Sequence, residues 1–300
     1  MLAGMPLDRV ILFRLATSER LERAVRRTPH GERLAWRAAA RYVAGPDAAA
    51  GVQRARDLGA QGVASSLDLF GELVRDPAEA DRVAGGYLAL AGQLDDQPGG
   101  WPEDTWLSVD LTHLALDTDP AGCADRLATI AGRVPDGRRV QVGAEDHARA
   151  EAVLSCVETV AGRGLAGRLG ATAPANYRRT GDDLVRLAAA GVHIRLVKGA
   201  YVEPAALALP YGEPTDLAYL RHAHWLAAQG TPFALATHDG VLREALLLAL
   251  GPRPVEQLLG VRPDVVAGLV ARQVPVRVYV PFGPDWFRFW MRRVAESRGA

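Results

Sequence analysis

Two adjacent arginines, Arg292 and Arg293, follow the last aromatic-rich segment of the chain, with Glu296 four residues after the first and three after the second. On a helix, Glu296 lies within reach of both guanidiniums. Paired guanidiniums present rigid forks of N–H donors that suit one carboxylate, so the segment is a candidate site for an amino or organic acid. The same pair can serve as solvated charge that answers a helix dipole. The residues before it are Arg277-Val-Tyr279-Val-Pro281-Phe-Gly283, a strand entering a turn, and Trp286 to Met291, an aromatic-rich helix.

Two further motifs keep chemistry in play. Arg195-Leu-Val197-Lys198-Gly199-Ala-Tyr201 sets two cations about a strand end, then a glycine where backbone can approach a ligand closely. Arg195 and Val197 share one strand face, and Lys198 falls at the end. This pattern suits either an ion pair inside a barrel or a cation beside an anionic or electron-accepting group. Ala236-Thr237-His238-Asp239 ends a strand before a helix, where Thr237 and His238 supply donors for phosphate or ribose and Asp239 can cap. Two other signals fail on geometry. Gly162-x-Gly164-x-x-Gly167 follows a helix and leads into a strand, the reverse of a dinucleotide fingerprint. His222 and His224, two apart on a helix, point in nearly opposite directions, and no metal site is expected.

These motifs need a scaffold, and the hydrophobic rhythm supplies one. Short apolar runs recur near 62–69, 106–111, 139–142, 165–169, 192–197, 231–236, 255–259 and 276–280, with helical patterns such as 180–190, 214–229 and 241–250 between them. Strand then helix, eight times over, is the sequence form of a (β/α)8 barrel. The reading is α/β, with a barrel over residues 61–300 and a helical extension over 1–60. In the extension, Ser18 can cap Glu19–Arg27, Glu32–Val43 is helical, and Asp47 can cap Ala48–Leu58. Barrel enzymes carry their chemistry at the C-terminal ends of strands, where this chain sets Asp68, Glu72, Asp110, His113, Glu145, Asp146, Arg195, Lys198, Thr237, His238 and Tyr279.

Composition removes several alternatives. The 300 residues are 49% hydrophobic and 23% charged, with zero formal net charge, so no global field draws nucleic acid. The two cysteines, Cys123 and Cys156, are far apart in sequence and suit a reducing compartment. No apolar run reaches the ~20 residues of a membrane span. A cytoplasmic location is expected, with peripheral membrane contact left open.

Together the motifs at 195–201, 236–239, 277–283 and 292–296, with Tyr42-Val-Ala-Gly45 and Ser66-Leu-Asp-Leu-Phe-Gly-Glu72, resemble the proline dehydrogenase family of FAD-dependent barrels, in its monofunctional bacterial form. The resemblance implies an eighth helix across the barrel mouth whose Arg292 and Arg293 hold the substrate carboxylate, oriented by Glu296. It implies that Tyr279 packs on the substrate ring and that Arg195 lies near the flavin. Val197, Lys198, Gly199, Tyr201, Thr237 and His238 would complete the FAD site. The implied activity is hydride transfer from proline to FAD, giving 1-pyrroline-5-carboxylate, with a quinone or another acceptor taking the electrons. A relative acting on another amino acid or cyclic amine, and a barrel that binds without turnover, remain as alternatives.

The chain departs from the family at sensitive places. A lysine expected after the second strand is Asp110, which joins Arg195 and Tyr279 in the catalytic set. The aspartate that would pair with that lysine aligns with Gly143, and an expected glutamine falls near Ala173 or Pro174. Exchanging a cation for Asp110 changes the local charge by two units, each worth about 4 kcal/mol at ~4 Å and an effective dielectric of ~20.

Overall fold

The computed structural model describes residues 25, 27–95, 105–287 and 289–291. The expected helix at Glu19–Arg27 lies largely outside that set, as do Arg292, Arg293 and Glu296. Thr28 accepts from Gly31 N at 3.2 Å and starts α1 (Pro29–Ala39) three residues earlier than expected. Asp47 accepts from Ala50 N at 2.9 Å and starts α2 (Ala48–Gly59), as its position after Gly45-Pro46 predicts.

Eight parallel strands follow: β1 (Ala64–Leu69), β2 (Trp106–Val109), β3 (Val140–Val142), β4 (Leu169–Pro174), β5 (His193–Val197), β6 (Phe233–Ala236), β7 (Val255–Leu258) and β8 (Val276–Phe282). Each pairs with the next, and β8 closes on β1, giving the expected (β/α)8 barrel. The helices between them are α3 (Pro77–Asp95), α4 (Pro120–Arg133), α5 (Ala150–Val160), α6 (Thr180–Ala189), α7 (Glu213–Ala228), α8 (Gly240–Leu250) and α9 (Pro263–Ala271).

One strand expectation needs correction. The run at 165–169 is mostly helical turns that continue α5 through Gly164, whose φ is +85°. Leu165 and Ala166 pack on the core from those turns, and the strand begins only at Leu169. Its inward position Gly170 is space-limited, because a Cβ there would overlap the Gln141 amide.

Alternation divides each strand between two environments. Leu67, Leu107, Val109, Val140, Val142, Ile194, Leu196, Leu235, Val278 and Val280 face the helices and join the main apolar core. The alternate set includes Ser66, Asp68, Ser108, Gln141, Arg195, Glu256 and Arg277, all buried and polar. An interior this polar is costly unless its groups pair with one another or with a ligand. Cys123 and Cys156, 33 positions apart in sequence, are both buried free thiols, and Cys123 Sγ donates to Leu111 O at 3.6 Å.

Candidate active site

Register sets the floor of the site. Glu256 of β7 lies beside Arg277 of β8 and accepts from its Nη1 at 3.0 Å. The same carboxylate is ion-paired with Arg195 Nε, whose Nη2 donates to Ser66 Oγ at 3.3 Å. Burial alone would raise the Glu256 carboxyl, but the charges of Arg195 and Arg277 outweigh it and hold the group below its ordinary range. Two guanidiniums share this one carboxylate, so the trio carries an excess positive charge. Arg277 also lies over the Trp106 ring at 3.3 Å, and His193 meets that ring edge-on at 4.8 Å. Both readings of Arg195 in the sequence therefore stay physically compatible. It forms a barrel-interior ion pair, and its guanidinium still lies 6.0 Å from the Tyr279 ring at the strand ends.

The wall of the mouth is built from phenols and carboxylates. Tyr279 of β8 donates to Asp68 Oδ2, and Tyr87 of α3 donates to Asp68 Oδ1 at 3.0 Å. Burial pushes the Asp68 carboxyl up to about 6, against the lowering pull of the two phenols and Arg195. Tyr279 stacks on Phe289 with ring centres 6.0 Å apart, and Phe289 meets Phe70 edge-on at 5.0 Å. The C-terminal aromatic segment thus begins against the ends of β1 and β8. Trp286, Phe287 and Phe289 cluster there with Ala35, Ala39 and Val43, so the N-terminal helical region braces the same corner.

Asp110 follows β2, and its charge is felt by Tyr87. Its carboxylate fills the space above Gly143, where any added Cβ would overlap Oδ1. The two departures noted in the sequence are therefore one local arrangement: this side chain occupies the volume that a residue at 143 would need. Next to them, Glu145 accepts from the Thr112 hydroxyl at 2.7 Å, and burial raises its carboxyl. Burial also pushes the His113 imidazole down to about 4, leaving it neutral near pH 7.

The opposite side of the mouth carries the expected cofactor residues. Lys198 Nζ contacts Asp216 Oδ1 at 2.5 Å and Asp239 Oδ2 at 3.1 Å. Burial opposes its charge, but these hydrogen bonds outweigh that and raise its pKa. Thr237 Oγ1 accepts from Asp239 N, while Asp239 caps α8 through Val241 N and Leu242 N at 3.0 and 3.1 Å. His238 Nε2 accepts from Leu258 N at 3.3 Å. Val197 is half-buried at the end of β5, and Tyr211 donates to Gly199 O at 3.1 Å and to Tyr201 O at 3.5 Å. Gly199 has φ +115°, and a Cβ there would overlap Asn176 Oδ1. Asn176, absent from the sequence expectations, is buried with an Oδ1 that has no hydrogen-bond partner. Among the described residues no group of three or more His, Cys, Asp or Glu could hold a metal ion.

The chain is similar to known proteins in sequence and in fold. The family model described as proline dehydrogenase matches residues 51–300. The proline dehydrogenase of Deinococcus radiodurans is 31% identical over 284 residues, covering 90% of each chain. Proline dehydrogenase 1 of Bacillus subtilis subsp. natto is 31% identical over 280 residues, covering 89% of this chain and 88% of its own. Among solved structures, proline utilization A of Bdellovibrio bacteriovorus superposes with a TM-score of 0.79 at 17% identity, over 97% of this chain. This chain spans only 36% of that larger protein, and the likeness bears on the fold.

Proposed function

Because the chain belongs to the proline dehydrogenase family, we propose that it oxidises proline to 1-pyrroline-5-carboxylate by hydride transfer to FAD. The observation that carries this reading is the mouth itself, where Tyr279 stands between Asp68, Phe289 and the Arg195 guanidinium. Members of the family are generally FAD-dependent, and the residues here suit such a group. The partnerless Asn176 Oδ1 is an acceptor awaiting a donor, and Gly199 keeps the backbone beside it free of a side chain. Arg195, Val197, Lys198, Gly199, Tyr201, Thr237 and His238 would hold the flavin and its phosphates, helped by the N-terminus of α8. When bound, FAD supplies a two-electron acceptor for the substrate's hydride.

The chain's own residues do the rest. Arg292 and Arg293, oriented by Glu296, would clamp the substrate carboxylate and fix which C–H faces the acceptor. Tyr279 would pack against the ring. Arg195 would offset negative charge that accumulates beside it, held in place beforehand by Glu256 and Ser66. A quinone or another acceptor would then take the electrons, with peripheral membrane contact as one route. Among the described residues no helix is long and apolar enough to cross a membrane.

Asp110, lodged above Gly143, favours a second reading in which the preferred substrate is another amino acid or cyclic amine. Anaerobic titration with a panel of amino acids separates the two by which substrate reduces the flavin fastest. Arg292→Met is expected to weaken binding of carboxylate ligands by about 2–4 kcal/mol, as for loss of a desolvated ionic partner. Unchanged ligand affinity in that variant would remove the clamp from the proposal.

A further inference from the structure

We propose that Asp68 is the positioning residue for Tyr279: its ionised carboxylate, accepting from Tyr279 and Tyr87 together, locks the phenol that faces the substrate, and its protonation loosens that phenol. The inference rests on the reading that Tyr279 packs against the substrate ring.

The geometry distributes one acceptor oxygen to each phenol. Tyr87 comes from α3 and is fully buried; its hydroxyl meets Asp68 Oδ1 at 3.0 Å and the Leu69 carbonyl at 3.3 Å. Tyr279 comes from β8 and takes Oδ2. An ionised carboxylate accepts on both oxygens, whereas the protonated acid converts one of them into a donor. Tyr87 can then turn its hydrogen to the Leu69 carbonyl, while Tyr279 is left on a neutral acceptor, without the charge assistance that makes such a bond roughly twice as strong. A purely structural role for Asp68 fits the contacts less well. Tyr87 already has a backbone acceptor in Leu69, so an expensive buried charge adds little for that phenol. What the carboxylate adds is a fixed hydroxyl end for Tyr279, whose ring face is set independently by Phe289.

The groups that face Asp68 set the pH at which the lock opens. From β8 and α3 come the two phenols, which favour the ionised form. From β5 comes Arg195, backed by Glu256 of β7, which also favours it. Asp110, after β2, adds negative charge on the Tyr87 side. Burial opposes all three favourable partners, so the group ionises near pH 6 rather than near 4. The locked form therefore predominates above that pH and is lost as pH falls through it.

Tetrahydro-2-furoic acid is a suitable probe because it keeps the ring and carboxylate while replacing the titrating amine with an ether oxygen. Its dissociation constant, read by calorimetry on the protein as purified, needs no turnover. For the unaltered protein the affinity is expected to fall as pH drops through about 6. Asp68→Asn is expected to weaken binding about tenfold at pH 8 and to abolish that pH dependence, with KM for proline rising far more than kcat falls. Tyr87→Phe removes one bond that favours ionisation, so the midpoint should move to higher pH. A dissociation constant within about twofold of the parent, with the same pH profile in both variants, would overturn the proposal. So would a loss confined to kcat. Flavin reduction by proline in the unaltered protein tests the family reading separately, whichever way Asp68 behaves. A parent protein that binds no probe at any pH would remove the proposal as well.

Discussion

Glu256→Gln is expected to cost about 3–5 kcal/mol of folding stability, the largest effect of any single neutral replacement in the barrel floor. The side chain is nearly isosteric, so little of the loss would come from packing. It would come from taking the shared carboxylate charge away from Arg195 and Arg277, whose side chains are only 9% and 3% exposed. An exposed pair makes the contrast. Arg262 and Asp264 are 60% and 72% exposed and lie 3.7 Å apart, and neutralising Asp264 should cost less than about 1 kcal/mol. Urea unfolding of the two variants, with the slope checked for constancy, measures both. Equal losses would mean that the barrel interior is wetter than its burial indicates.

The second large effect concerns Asp110 and Gly143. Gly143→Asp should destabilise the protein by about 4 kcal/mol, the repulsion of two unit charges at ~4 Å in an effective dielectric of ~20. Displacement of Asp110 adds to this, since even a Cβ at 143 would overlap its carboxylate. Combining Gly143→Asp with Asp110→Lys replaces repulsion by an ion pair. A double-mutant cycle over these changes should show a favourable coupling of at least about 2 kcal/mol. Effects that add within about 0.5 kcal/mol would mean that the two positions do not share one local field. The backbone is not the reason for glycine here: unlike Gly199, Gly143 is not among the positive-φ residues, so the space taken by Asp110 is what reserves the position.

The eightfold rhythm was readable because the helix-facing residues of most strands, such as Leu107, Val109, Ile194 and Leu196, are large and apolar. It failed at β4, where Gly170, Ala171, Thr172 and Ala173 are small and the neighbouring Leu165 belongs to helical turns. Local motifs also placed Asp47 and Asp239 as caps, since capping acts within three residues. The site was harder to read because its contacts join distant positions. Asp68 and Tyr279 are 211 residues apart and meet only because β8 closes on β1. Tyr87 looks like one more large residue on a core-facing helix, and nothing local marks its hydroxyl as an Asp68 donor. Glu256 lies within the run expected near 255–259, but register alone reveals that it serves both Arg195 and Arg277. Asn176 carries no local signal apart from its place after β4. Arg292, Arg293 and Glu296 remain a sequence-based proposal, because they lie outside the described residues.

The most direct test of the account is an anaerobic absorbance titration of the purified protein with proline. A yellow protein whose oxidised-flavin band bleaches with proline, and bleaches far more slowly with open-chain amino acids, is the predicted result. Bound flavin that stays oxidised under excess proline would contradict it.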